Sequence, residues 1–87
     1  MLAEDICRRA ADLIGDARAR YGELQAAHTR IAALWSAYLD RPIGAHDVAM
    51  MMVLLKVACP TRATFNLDDY VDVAAHAGIA AELADHV

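Results

Sequence analysis

An all-α fold, a four-helix bundle, is what this 87-residue sequence predicts, and three observations predict it. Apolar residues recur three and four positions apart along most of the chain, and no stretch alternates with the period of two that a strand requires. Alanine, the strongest helix former, occupies 20 positions. The thirteen residues from Asp47 to Cys59 carry charge only at Asp47 and Lys56. A helix that is apolar on all sides has to be covered on all sides, and one this short does not reach across a bilayer, which takes about 20 residues. The expectation is therefore a single domain over residues 1–87 with a buried central helix at about 45–59.

The first helix is expected from Ala3 to Ala19, with Ile6, Ala10, Leu13 and Ala17 as its inward stripe and Gly15 as a weak point in its middle. Tyr21-Gly22 breaks it. The second runs from Glu23 to Leu39, with Leu24, His28, Ile31, Trp35 and Tyr38 on its apolar face and Leu34 beside them. Asp40-Arg41-Pro42-Ile43-Gly44 is a turn, because the residue before a proline avoids helix. Gly44 then caps the third helix and leaves Asp47 in its first turn, where a carboxylate meets the positive end of the dipole. Pro60 ends that helix, 61–66 form a loop, and Asn66 caps a fourth helix that continues to about Ala84. On this last helix Val71, Ala74, Gly78 and Ala81 make a narrow face that lets a neighbouring helix come close.

Composition excludes several roles. The net charge is −4 and the eight basic residues are scattered, so nucleic-acid binding through a basic face is disfavoured. Nothing resembles a membrane span or a signal peptide, and cytoplasmic location, in a host cell if the gene is a phage's, is the default. Cys7 and Cys59 have no CxxC partner and read as small buried hydrophobes in a reducing compartment. A chain so rich in alanine buries little area per side chain, which favours a homo-oligomer.

A few polar residues stand out. Asp69, Asp72 and His76 share one face of the fourth helix at spacings i, i+3 and i+7, a set able to hold a divalent cation such as Mg²⁺. The plainer reading makes the aspartates helix-start charges and His76 a half-buried surface group. Lys56, the one charge deep in the third helix, needs a carboxylate, and Asp69 or Asp72 is the expected partner. It serves either as half of a structural ion pair or as a phosphate-binding amine. His28 falls on an apolar stripe, where a histidine usually has one ring nitrogen satisfied by the helix interface. Arg18, Arg20 and Tyr21 cluster before a turn and form a weak candidate phosphate pocket. The three consecutive methionines, Met50 to Met52, fill core, while His46 and His86 read as surface residues.

Tyr21-Gly22, the block from His28 to Leu39, the block from Asp47 to Lys56, and Asp69-Tyr-Val-Asp72 together resemble a family of small phage and prophage proteins of unknown function, over about residues 4 to 84. That family is in turn similar to the all-α nucleoside triphosphate pyrophosphohydrolases of the MazG type. In those enzymes paired glutamates on one helix and a Glu-x-x-Asp motif on the next hold Mg²⁺. Asp69-x-x-Asp72 is similar to the second motif, but the third helix offers Asp47 and Lys56 in place of the paired glutamates. The resemblance implies a nucleotide-binding protein, with Asp69, Asp72 and His76 at the cation, Lys56 and His28 in the catalytic positions, and Arg18, Arg20 and Tyr21 at the ligand. The alternative is a non-enzymatic helical oligomer that docks on a host or phage protein. Convergence of these residues on one cleft separates the two.

Overall fold

A computed structural model describes residues 1–59 and 66–84 and contains four helices: α1 (Ala3–Tyr21), α2 (Leu24–Leu39), α3 (Ala45–Ala58) and α4 (Leu67–Ala84). The loop expected at 61–66 lies outside the described residues except for Asn66. The all-α bundle is as expected, and the helix limits fall within two residues of the sequence reading.

The helix starts follow local chemistry. Asp5 and Asp47 each occupy the third position of a helix, and each accepts a hydrogen bond from the backbone N–H at the cap, Leu2 at 3.0 Å and Gly44 at 2.8 Å. The side-chain oxygen of Asn66 accepts from the Asp68 N–H at 3.1 Å, which caps α4. Between α2 and α3 the chain turns through Asp40 in the left-handed conformation (φ 54°), and Ser36 holds the turn from inside. Its hydroxyl accepts from the Ile43 N–H at 2.9 Å and faces the Ile43 carbonyl at 3.2 Å.

The central helix is α4, not α3. Val71, Ala75, Ile79, Ala80 and Leu83 are all buried on it, and its two largest packing contacts are with α3 and α1. α2 packs on α3 and only lightly on α1. Register can be read from paired positions. Ile14 lies over Gly78 and Arg18 pairs with Glu82, so α1 and α4 advance together and run parallel. Lys56 meets Asp72 and His46 meets Ala80, so α3 and α4 run antiparallel. One core cluster joins Leu24, Ala49, Ile79, Ala80 and Leu83 from three helices, and a second joins Ala10 of α1 to Val71 and Ala75 of α4.

Several sequence expectations change. On α3 only Val48 and Ala49 are buried; Met50, Leu54, Leu55 and Val57 face outward, because none of the other three described helices covers that side. The stripe of α1 is Ile6, Ala10, Ile14 and Ala17, with Ile14 over Gly78 of α4 and Leu13 more exposed. The apolar face of α2 ends at half-buried Trp35; Tyr38 is 89% exposed. Cys7 and Cys59 are both exposed, the first on the outer side of α1 and the second just past the end of α3.

Candidate functional site

α1 and α3 both lean on α4, and between the three helices lies a cleft of about 380 Å³. Its wall is apolar where Leu13, Ile14, Met52 and Ile79 line it, and polar where Lys56, Asp72 and His76 meet it. Asp16, Arg20 and Tyr21 form its α1 side. Ligand sites commonly have this make-up, a largely apolar concavity with a few convergent polar groups, and the volume is at the small end of their range.

Lys56 and Asp72 form its polar centre, with the amine 3.1 Å from a carboxylate oxygen. Both side chains are mostly shielded, so this pair interacts more strongly than an exposed one. The antiparallel register of α3 and α4 brings them together, and it selects Asp72 over Asp69, the other expected partner. One turn further along α4, His76 faces the same cleft. Its Nδ1 is buried and has no hydrogen-bond partner. Burial pushes its imidazolium below the ordinary value of 6.5, the charges of Lys56 and His28 push the same way, and Asp72 opposes them. The neutral ring is thus favoured over the charged one, and among the described residues nothing pairs with its Nδ1.

Five of the eight residues singled out in the sequence converge here: Arg20, Tyr21, Lys56, Asp72 and His76. Arg20 lies against the Tyr21 ring, 5.9 Å from its centre. The other three are elsewhere. Arg18 does not line the cleft and pairs with Glu82 of α4. His28 is buried on α2, with Nδ1 2.9 Å from the Leu24 carbonyl, close enough to act on His76 by charge but not part of the cleft wall. Asp69 is buried in the first turn of α4 and does not line the cleft. Sequence reasoning missed Asp16, Leu13 and Met52, whose membership depends on the parallel packing of α1 against α4.

The expected cation set of Asp69, Asp72 and His76 does not assemble. Among the described residues no three His, Cys, Asp or Glu side chains lie together as metal ligands do. Asp72 already faces an ammonium group, which opposes a second cation at the same oxygen.

Fold and site together define a small all-α protein with an interhelical cleft of mixed polarity. The chain belongs to the family described as Domain of unknown function (DUF6378), whose model matches residues 5–84. It is 40% identical over 76 residues to the Gene 55 protein of Mycobacterium phage L5, covering 85% of this chain and 49% of that protein. It is 35% identical over 78 residues to the Gene 55 protein of Mycobacterium phage D29, covering 88% of this chain and 52% of that one. The chain thus spans about half the length of the curated relatives it matches. No solved structure matches it. Among the described residues no helix is long and apolar enough to cross a membrane.

Proposed function

We propose that this chain binds a small nucleotide-like anion, with an aromatic or apolar body and a phosphate, in the cleft between α1, α3 and α4. The observation that carries the reading is the convergence of Arg20, Tyr21, Lys56 and His76 from three different helices on one concavity. The apolar wall and the Tyr21 ring suit the body of such a ligand. Lys56 and Arg20 supply donors to a phosphate, and His76 lines the same cleft beside them. The metal-dependent hydrolysis implied by a MazG-type resemblance is not part of this proposal, since among the described residues no three metal-ligating side chains lie together.

Thermal melts with nucleoside mono-, di- and triphosphates, each with and without Mg²⁺, test the reading. A ligand at a hundredfold excess over its Kd stabilises the fold by about 2.7 kcal/mol, which is readily seen as a rise in Tm. The expected result is a rise without Mg²⁺ that is reduced in Arg20→Ala, a change at an exposed side chain that leaves the fold intact. If no nucleotide moves the Tm of the wild-type chain, the proposal is wrong.

A further inference from the structure

The outer side of α3 is the largest feature that the cleft does not use. Met50, Leu54, Leu55 and Val57 are exposed there, Leu54 at 63% and Val57 at 64%. Roughly 400 Å² of mainly apolar surface is open on these four side chains alone, the size of patch that on a soluble protein usually marks an interaction site. Leu34 and Tyr38 of the neighbouring α2 are also exposed.

We infer that this face is covered by a second copy of the same chain, α3 packed antiparallel on α3 about a two-fold axis near Leu54. Three observations favour a second copy over a different partner. From Val48 to Leu55 the helix carries no charged residue, so a two-fold repeat of the face meets no like charges. The charges that flank this stretch are Asp47, at the helix start, and Lys56, which is held by Asp72 of α4. Antiparallel pairing also sets the positive end of each helix dipole beside the negative end of the other. Finally, the chain has a thin core: of ten buried apolar residues among those described, five are alanine, and Val48 is the largest side chain that is fully buried. A fold so poor in buried area gains most from covering its own exposed helix.

The test is sedimentation equilibrium across the micromolar range in reducing buffer, since Cys7 and Cys59 are both exposed and would otherwise cross-link copies. The wild type is expected to be a dimer, and Leu54→Glu to weaken dimerisation by about 30-fold or more, as for a central contact residue. A wild-type chain that stays monomeric overturns the inference, whatever other protein it captures. So does a Leu54→Glu variant that is folded by circular dichroism and still dimeric, which would place the interface elsewhere. Should Leu54→Glu fail to fold, the Tm of the wild type decides: it rises with protein concentration for a dimer, and a Tm independent of concentration overturns the inference. None of these readouts depends on ligand, so the nucleotide proposal stands or falls separately.

Discussion

His76 shows how a single side chain connects stability to pH. Its folded pKa lies below the ordinary 6.5, mainly through burial and further through Lys56 and His28, with Asp72 pulling the other way. The unfolded chain therefore binds a proton at this site more readily than the folded one. The stabilisation is complete above about 6.5 and is lost as pH falls below it towards the folded value. Melting curves of the wild type should show Tm dropping on the acid side of neutrality, and His76→Leu should flatten that limb. An unchanged slope in the variant would mean that other groups govern it. The Lys56–Asp72 pair beside it was legible from sequence, because a lone charge within an apolar helix requires a carboxylate and the adjoining helix offered Asp69 and Asp72 across a short connection. His76's orphaned nitrogen was not, since it depends on what surrounds the ring.

Helix limits were read nearly to the residue, because caps are local: Asp47 three positions into α3, Gly44 before it and Asn66 before α4 all act over a single turn. Helix faces were read less well, for a physical reason that differs between elements. In α1 the neighbours Leu13 and Ile14 are both apolar, and only the packing against α4, with Ile14 over Gly78, distinguishes them. α3 lacks a polar face, so its sequence carries no signal of which side is out. Gly15 offers a direct measurement on α1. A Cβ there meets nothing within 4 Å, and the residue lies mid-helix on the exposed side. Gly15→Ala should raise stability by about 1 kcal/mol, read as a higher denaturation midpoint with an unchanged slope.

The whole molecule measures 40 × 28 × 22 Å, extended for its length, as suits a single layer of helices around α4. Its site was partly legible because the contributing residues lie at places where local rules speak, a turn after α1 and a buried charge on α3. The cleft itself was hidden, since it exists only through the parallel register of α1 and α4, which no local pattern encodes. That register also sets an order of events. α3 and α4 are neighbours along the chain and clasp each other early, whereas α1 must return across more than sixty residues to reach its seat, as the Arg18–Glu82 contact shows. The first helix is therefore expected to dock last. Its amides should exchange with deuterium faster than those of α4, and a molecule gripping Arg20 and Lys56 together would act as a latch, slowing that exchange.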